Sequence, residues 1–573
     1  MTTLALIGGG PAALFMFKRL VESGLEEMEV TIFEQHEKLG AGMPYSSYGA
    51  STEHITNVSE NEIPEIKTDI KKWLSVAPQE LLHGFSVGEE DFNEYKVLPR
   101  LLFGEYLSAQ FDILLNEARK KKIKTKVLLQ TRVADIIDLK EKNQVKVITT
   151  GQEVHLFNKA VICTGHSWPC ENEKRIANWF DSPYPPQKIS KRINYHVAIK
   201  GASLTAIDAV RTLAHANGHF IQNADSTYKY DLKEDSKGFK IVLHSIGGLL
   251  PALRFHLEDS HLEPEHLLDE DEIIKLKEKH DGFVPLDVVY DLNFKKALKN
   301  KHAELYEEVK DMSIEAFIAH MTEKRKSVES FNLLKAEYEE AAQSIKQHKS
   351  IIWKETLAAL SYAMNYPAKH FSAEDMLRLT KIMMPLISVV IAFLPQGSAR
   401  EMMALHAEGL LTIKDVNKDS SVLPGEKEGC IYQYSETEKL TYSMFIDAVG
   451  QRPFFYNDIP FEGLKNKETL SSAYLRFASA DEAKKELALD NKAVIEQDTG
   501  DYLLQLPGVN INDHFQPLDI YGVANQRLYI MAVPFIAGLN PDYSGLDFCE
   551  TSSEKIITNI KECIDRRLMA SDV

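Results

Sequence analysis

The sequence predicts an α/β protein with two strand–turn–helix units and a charged helical segment inserted after the second unit. The first unit occupies residues 4–13, where an apolar strand runs into a glycine-rich turn and then into a helix. The second unit, at 195–210, repeats the same order of apolar strand, small-residue turn and helix. From about 255 to 371 the chain is highly charged, with apolar residues at helical spacing. These observations predict two Rossmann-like dinucleotide-binding domains with a helical insertion.

The first unit carries a dinucleotide-binding fingerprint. Gly8, Gly10 and Ala13 occupy the small-residue positions of the pattern G-x-G-x-x-G/A. In this pattern the first glycine permits a tight turn, the second lets the backbone approach a pyrophosphate, and the third lets the helix pack close to its strand. A second apolar strand, 29–33, leads into Glu34, about 20 residues beyond the turn, where a carboxylate accepts hydrogen bonds from a ribose. We therefore expect the turn to bind a dinucleotide, with the free N–H groups of the helix start facing its phosphates.

The second unit fits the same fingerprint less well. Gly201, Ser203 and Ala206 occupy its three positions, and the central glycine is replaced by serine. The unit either binds a nucleotide, with Leu204 and Thr205 at the helix start, or is a structural turn of an α/β sheet.

The loop after the next strand, 240–244, is placed where the adenosine ribose of a nicotinamide cofactor would lie. His244, Ser245 and Arg254 are the nearby candidates for binding a 2′-phosphate, and no acidic residue directly ends the strand. NADPH is therefore favoured, and NADH stays open.

Composition narrows the functional class. The chain has 573 residues and a formal net charge of −18, which argues against nucleic acid or an anionic membrane as its main partner. Five cysteines are too few for a disulfide framework and indicate a reducing compartment. The apolar run 383–394 falls short of the roughly 20 residues of a membrane span. No signal peptide is recognised, no metal-binding motif is found, and a cytoplasmic location is expected.

Further segments complete the pattern. The apolar strands 160–165 and 445–450 end in T-G and V-G, as expected where a chain crosses between two nucleotide-binding modules. A strand at 527–532 is followed by the loop 538–545 and then by a helix whose N-terminus could face the electron-rich end of a flavin. Arg100, at the start of a helix-like run, is a candidate for binding a phosphate or a substrate carboxylate, with an ion pair as the alternative.

These segments give the chain a family resemblance. It resembles two-dinucleotide-binding-domain flavoproteins, and more narrowly the bacterial FAD/NAD(P)-binding proteins related to flavin-dependent N-hydroxylating and Baeyer–Villiger monooxygenases. The resemblance rests on Glu34 and on the blocks G-G-G-P-A-A (8–13), G-A-G-M-P-Y-S (40–46), H-I-T-N-V (54–58), L-P-R-L-L-F-G-E-Y-L (98–107), C-T-G-H (163–166), G-A-S-L-T-A-I-D (201–208) and G-G-L-L-P (247–251). It implies FAD at the first fingerprint and NADPH or NADH at the second. The cofactor contacts expected on these grounds are Gly8, Gly10, Pro11, Ala12, Ala13, Glu34, Gln35, Met43, Pro44, Tyr45, His54, Asn57, Val58, Arg100, Thr164, Gly165, Gly201, Ser203, Leu204, Thr205, Ser245, Gly450, Asn540 and Gly545.

The resemblance implies an FAD-dependent, NAD(P)H-using oxidoreductase. A single-component monooxygenase working through a peroxyflavin on a small molecule is favoured, with molecular oxygen as second substrate. A dehydrogenase or reductase, a flavin-dependent halogenase and a non-catalytic nucleotide-binding protein stay open as alternatives. The spacing of Cys163 and Cys170 argues against dithiol chemistry, and the F-x-G-x-x-x-H-x-x-x-W signature of Baeyer–Villiger enzymes is absent. No catalytic residue can be assigned from the sequence.

The helical insertion is expected either to cover the cofactor cleft and shape a substrate pocket or to serve as a structural or dimerising appendage. The predicted division has five parts, since both nucleotide-binding domains are split along the chain. They are 1–170 (FAD domain, first part), 171–255 (NAD(P) domain, first part), 256–390 (insertion), 391–450 (NAD(P) domain, second part) and 451–573 (FAD domain, C-terminal part).

Overall fold

A computed structural model of the chain describes residues 2–25, 28–85, 87, 92–166, 168, 170–258, 267–466, 468–542 and 545–571, with side chains of the last helix up to 565. Its strands, numbered in chain order, are β1 Thr2–Ile7, β2 Met28–Phe33, β3 Ile55–Ser59, β4 Val97–Pro99, β5 Lys124–Leu128, β6 Val133–Leu139, β7 Gln144–Thr149, β8 Val154–Phe157, β9 Lys159–Ile162, β10 Trp179–Phe180, β11 His196–Lys200, β12 Gly218–Gln222, β13 Tyr228–Leu232, β14 Lys240–Ile246, β15 Leu411–Val416, β16 Ser421–Pro424, β17 Cys430–Gln433, β18 Lys439–Tyr442, β19 Met444–Asp447, β20 Ser472–Arg476, β21 Val494–Glu496, β22 Tyr502–Val509 and β23 Leu528–Ile530.

The helices are numbered in the same way. They are α1 Pro11–Glu22, α2 Ile70–Val76, α3 Gln79–Gly84, α4 Arg100–Lys120, α5 Leu204–Asn217, α6 Glu270–Lys279, α7 Leu286–Tyr290, α8 Lys296–Lys301, α9 Ala303–Val309, α10 Ile314–Lys326, α11 Ser330–Gln347, α12 Ile352–Ala363, α13 Ala373–Arg378, α14 Met384–Val390, α15 Gln396–Ala407, α16 Ala480–Ala488 and α17 Gly545–Ser571.

The first parallel sheet has the strand order β23-β9-β1-β2-β5. Its central strand β1 is fully buried from Leu4 onward, because a parallel sheet is covered on both faces. Helix α1 and the C-terminal helix α17 pack against each other, and Glu550 of α17 forms ion pairs with Lys18 and Arg19 of α1. The first and last parts of the chain therefore build one unit, which includes the β23 strand predicted from the sequence.

The second parallel sheet repeats this arrangement with the order β10-β19-β11-β14-β15. Its strands come from both sides of the insertion, since β15 and β19 follow it in the chain and pair next to β14 and β11. Two parallel sheets with a helical region between their strands confirm the predicted α/β fold class.

Smaller antiparallel sheets are attached to these two units. They are β3-β4, β6-β7-β8, β12-β13, β16-β17-β18 and β20-β22-β21.

The described residues between β14 and β15 are mainly helical, as predicted. Helices α6, α9, α10, α11 and α12 lie in the charged stretch 255–371, where the sequence has apolar residues at helical spacing. Helices α9 and α10 are separated by the short stretch 310–313. The break comes at Ser313, whose side chain accepts a hydrogen bond from the Ala316 amide and caps the start of α10.

Candidate cofactor site

The first glycine turn has the geometry that a dinucleotide fingerprint requires. Gly8 has φ +108°, and a Cβ added there would lie 2.7 Å from the Cys163 carbonyl oxygen, so a larger residue would be strained and would collide with the chain leaving β9. Helix α1 follows at once, with Gly10 in the N-cap position and Pro11 as its first residue. The amides of Ala12 and Ala13 belong to the first turn of this helix, where N–H groups have no partner inside the helix.

Glu34 lies directly after β2, beside the turn, as predicted. Its buried carboxylate accepts hydrogen bonds from the Gly9 amide at 2.8 Å and from the His36 amide at 2.7 Å. The carboxylate therefore also fastens the turn to β2, and each oxygen keeps a lone pair for a ribose hydroxyl. The neighbouring Gln35 is exposed.

The loop 40–46 runs past the same turn. The Gly40 amide donates to the Gly9 carbonyl at 2.7 Å, and a Cβ at Gly10 would lie 3.2 Å from the Gly42 Cα. Met43, Pro44 and Tyr45 follow on the same loop and are half-buried. The Tyr45 ring packs edge-to-face on Phe103 at 4.9 Å, and burial raises the pKa of its hydroxyl to about 12, so Tyr45 is a neutral hydrogen-bonding group.

Two buried polar atoms on candidate residues have no hydrogen-bond partner among the described residues. They are the Thr164 hydroxyl oxygen, after β9, and the Asn540 amide nitrogen, before α17. A buried polar group without a partner costs about 1–3 kcal/mol, so a ligand or an ordered water that bonds to such a group is stabilised there. Polar groups of FAD would satisfy both atoms, and the residues present therefore fit this cofactor. Gly165, beside Thr164, is exposed.

The start of α17 is tied to the helical insertion. Asn365, just after α12, donates from its amide group to the Asp542 carbonyl at 2.6 Å and accepts from the Asp542 amide at 2.8 Å. The Tyr362 and Thr551 hydroxyls are hydrogen-bonded at 2.9 Å. Gly545 is the first residue of α17, and the preceding pair 543–544 lies outside the described residues. The insertion thus contacts the segment that the sequence places near a flavin ring.

The second turn repeats the first in its backbone contacts. Gly201 has φ +109°, and a Cβ there would lie 2.7 Å from the Ala448 carbonyl oxygen, as Gly8 does with Cys163. Ser203 is exposed at the N-cap of α5 and makes no capping hydrogen bond with its side chain, and Leu204 and Thr205 are the first helical residues. The serine that weakened the fingerprint therefore leaves the turn geometry unchanged.

The two crossing segments meet each other. His166 follows the Thr164–Gly165 turn, and its Nδ1 lies 2.6 Å from Oε1 of Gln451, which follows Gly450. The Nε2 of Gln451 is buried without a partner among the described residues. The polar contact joins the residues that run past the two glycine turns and brings the two nucleotide-binding units together.

A buried ion pair connects the two units on the side of α5. The Arg100 guanidinium binds the Asp208 carboxylate in a bidentate manner, at 2.6 and 3.2 Å, and the Tyr184 hydroxyl donates to the same carboxylate at 2.7 Å. Burial alone would raise the pKa of Asp208, but the Arg100 charge outweighs it and holds the pKa below its usual range. His54 is also part of this contact, because its Nε2 lies 3.0 Å from the Thr212 hydroxyl of α5.

In the structure the polar groups of Arg100 and His54 are thus occupied by protein groups. For Arg100 the sequence predicted either phosphate or carboxylate binding or an ion pair, and the structure has an ion pair. Contact of either residue with a cofactor stays a prediction. The role of Asp208 carried no local sequence signal, because it lies inside a helix among apolar residues.

A second ion pair connects the units at the other end of β3, and here the second unit supplies the arginine and the first unit the carboxylate. Arg254, which follows β14, forms a buried ion pair with Glu62, near β3, and donates to the Asn57 carbonyl at 2.5 Å. The Asn57 amide lies 3.5 Å from the Ala392 carbonyl, and Val58 is half-buried on the same strand. Strand β3, expected to run along the flavin, is therefore held by an arginine at each end.

Two of the candidates for a 2′-phosphate are placed differently from what the sequence suggested. Arg254 is used in the buried pair with Glu62, far along the loop from the end of β14. His244 is fully buried and stacked on Tyr432 at 3.9 Å, with Nε2 2.7 Å from the Tyr434 hydroxyl. Burial lowers the pKa of His244 to about 4, so it is neutral and cannot attract a phosphate. Ser245 is the member of the set that lies half-exposed at the strand end.

The buried His244 leads to a pH-dependent stability. The unfolded imidazole gains a proton near its ordinary pKa of 6.5, whereas the folded one does so only near 4, so its contribution to stability is lost as the pH falls through this interval. Between about pH 7 and about pH 5 this linkage removes about 2 kcal/mol from the free energy of unfolding. In urea unfolding, His244→Gln should lose less free energy of unfolding between these two pH values than the natural protein does. The control His196→Gln, at an exposed site, should lose as much as the natural protein. Equal losses in the natural protein and both variants would contradict the assignment of this pH dependence to His244.

Comparisons with known proteins agree with this reading of the first unit. Residues 5–167 match the family model described as FAD-NAD(P)-binding. This first part of the chain therefore belongs to that domain family. The resemblance and cofactor class inferred from the sequence are thereby confirmed.

Residues 269–391 match a model described as YdhS-like middle domain. The chain is 27% identical over 472 residues to the uncharacterized protein YdhS of Escherichia coli K12. The aligned residues cover 82% of this chain and 86% of YdhS. Among solved structures, the ornithine N-hydroxylase of Kutzneria sp. 744 has a TM-score of 0.42 at 12% identity, covering 98% of this chain and 99% of that one. The bacillithiol disulfide reductase of Bacillus cereus has a TM-score of 0.38 at 11% identity, covering 98% of each chain.

Two further properties concern only the described residues. None of their helices combines the length and the apolar content that crossing a membrane requires. No group of three or more His, Cys, Asp or Glu side chains among them is arranged to hold a metal ion.

Proposed function

We propose that this FAD/NAD(P)-binding oxidoreductase is a single-component monooxygenase that uses NADPH and molecular oxygen on a small-molecule substrate. The observation that carries the proposal is the contact between the two nucleotide-binding units at their turns. The hydrogen bond between His166 and Gln451 joins the segments that pass Gly8 and Gly201, so cofactors at the two turns would approach each other.

The residues around the first turn would hold FAD. The start of α1 would bind the pyrophosphate, Glu34 the adenosine ribose, and Thr164 and Asn540 would give their unpaired polar atoms to the cofactor. When bound, FAD would supply the acceptor of a hydride and the donor of electrons to oxygen. The nicotinamide coenzyme would bind at the second turn, with Ser203, Leu204 and Thr205 at its phosphates.

The helical insertion would exclude water from the reacting end of the site. Asn365 and Tyr362 hydrogen-bond to Asp542 and Thr551, on either side of the start of α17, and this contact supports a covering role for the insertion. Exclusion of water would favour oxygen transfer, because in contact with water the two-electron-reduced oxygen would be lost as H2O2 before a substrate takes an oxygen atom. The cysteines support this choice over dithiol chemistry: burial raises the pKa of both Cys163 and Cys549, so their thiols are protonated and poor nucleophiles.

The proposal is tested by oxygen accounting. The FAD-loaded protein is supplied with NADPH and air, and NADPH consumption and H2O2 release are followed with and without a panel of soft nucleophiles such as primary amines and sulfides. We expect at least one nucleophile to lower the H2O2 released per NADPH and to gain an oxygen atom. Rapid turnover with quinone or dye acceptors, and H2O2 yields that no nucleophile changes, would indicate a reductase.

The insertion contact gives a specific variant. Asn365→Ala removes both hydrogen bonds to Asp542, and we expect the fraction of NADPH that is lost as H2O2 to rise severalfold because water gains access. Asn300→Ala, on an exposed face of the same insertion, is the matched control. An unchanged H2O2 yield in Asn365→Ala would show that the insertion does not shield the reaction.

A further inference from the structure

The two nucleotide-binding units are equivalent residue by residue around their turns. The Gly8 amide donates to the Phe33 carbonyl at 2.9 Å, and the Gly201 amide donates to the His244 carbonyl at 2.8 Å. Phe33 pairs with the residue before Gly8, and His244 with the residue before Gly201. The residue after His244 therefore occupies in the second unit the place that Glu34 has in the first.

That residue is Ser245. An acidic side chain at this position accepts hydrogen bonds from the free ribose hydroxyls of NAD, whereas a 2′-phosphate needs a positive charge close by. Ser245 supplies neither charge, and His244 is neutral and buried. A charged side chain that distinguishes a 2′-phosphate from a free ribose hydroxyl must therefore come from another part of the chain.

The helical insertion brings a lysine to this place. A Cβ added to Gly247, two residues after Ser245, would lie 3.0 Å from Cε and 3.1 Å from Nζ of Lys326, the last residue of α10. Lys326 is exposed, and no ion pair of its ammonium group occurs among the described residues. The same loop is fastened to the insertion by the Ser330 hydroxyl, which donates to the Gly248 carbonyl.

We infer that Lys326 binds the 2′-phosphate of NADPH and makes the insertion part of the coenzyme site. The inference rests on the proposed function, since it assumes that the second turn binds a nicotinamide dinucleotide. It assigns to α10 a role in coenzyme selection that is separate from the covering of the reacting end by α12. The ligand class is an adenosine 2′-phosphate, recognised by charge.

One acidic group lies near the same loop. Asp415, on β15, accepts a hydrogen bond from the Gly247 amide at 2.7 Å. Its negative charge opposes the binding of a phosphate, and the positive charge of Lys326 has to outweigh it. Removing the charge of Lys326 should therefore lower the affinity for a 2′-phosphate, and removing the charge of Asp415 should raise it.

The test is isothermal calorimetry of the FAD-loaded protein with NADP+, NAD+ and the fragments adenosine 2′,5′-bisphosphate and ADP. We expect the natural protein to prefer the 2′-phosphorylated member of each pair. Lys326→Ala should raise the Kd for NADP+ and for the bisphosphate roughly tenfold or more, and leave the Kd for NAD+ and ADP within about twofold. Lys326→Arg should keep the preference, and Asp415→Asn should strengthen it.

Lys324→Ala is the matched control, because Lys324 is exposed on the same helix. The inference is overturned if Lys326→Ala weakens both members of each pair equally or weakens neither. Binding of neither dinucleotide by the natural protein would instead contradict the proposed function. Melting temperatures of the variants exclude loss of the fold as the cause.

Discussion

Replacing Gly10 by valine is expected to raise the Kd for FAD at least roughly tenfold while the apoprotein stays folded. Gly10 has an ordinary backbone conformation, with φ −80°, so a side chain does not strain the turn itself. An added Cβ would lie 3.2 Å from the Gly42 Cα, so the loop at Gly42 has to shift by a few tenths of an ångström. The side chain would also stand where the pyrophosphate has to approach the backbone. The measurement is FAD retention after gel filtration together with the melting temperature of the apoprotein.

The position of the glycine decides what this variant reports. Gly8→Ala would combine strain at φ +108° with a collision at the Cys163 carbonyl and should damage the fold itself. Gly151→Val, in an open turn where the nearest atom to an added Cβ is 3.7 Å away, is the matched control and should keep FAD. Stoichiometric FAD in Gly10→Val would contradict the placement of the pyrophosphate at the first turn.

Asp208→Asn is expected to lower the free energy of unfolding by about 3 kcal/mol and to slow flavin reduction by NADPH. The variant keeps the shape of the side chain but leaves the Arg100 guanidinium buried beside a neutral group. An unpaired buried charge is expensive, and here it lies between the two nucleotide-binding units, so their relative placement should loosen as well. Urea unfolding and the anaerobic rate of reduction measure the two effects.

A double variant separates the charge from the packing. Arg100→Met with Asp208→Leu removes both charges, and it should recover a large part of the lost stability because no unpaired charge is left. Asp235→Asn breaks the exposed pair with Arg192 in the same unit and should cost less than about 1 kcal/mol. Equal effects of Asp208→Asn and Asp235→Asn would show that the buried pair does not hold the units together.

The elements that local patterns encode were predictable from the sequence. Gly8 and Gly201 were found because a tight turn before a helix demands a small residue, and the structure gives both a positive φ. The crossing segments at Thr164 and Gly450 were found from short apolar strands ending in glycine. Helical periodicity located the insertion, and the family model for a YdhS-like middle domain covers most of it.

Contacts between distant parts of the chain were not predictable in this way. Asp208 and Glu62 look like ordinary charged residues, and only the fold brings them to Arg100 and Arg254. The same holds for Lys326, which is one of many lysines in a charged segment and becomes notable through its contact with Gly247. Periodicity and fingerprints report on neighbours along the chain, whereas these roles depend on tertiary proximity.

Hydride transfer between the two sites is tested most directly by anaerobic titration of the FAD-loaded protein with NADPH, followed by the visible absorbance of the flavin. About one equivalent of NADPH is expected to bleach the flavin completely, because cofactors at the two turns would lie close together. A bound flavin that neither NADPH nor NADH bleaches would contradict hydride transfer between the two sites.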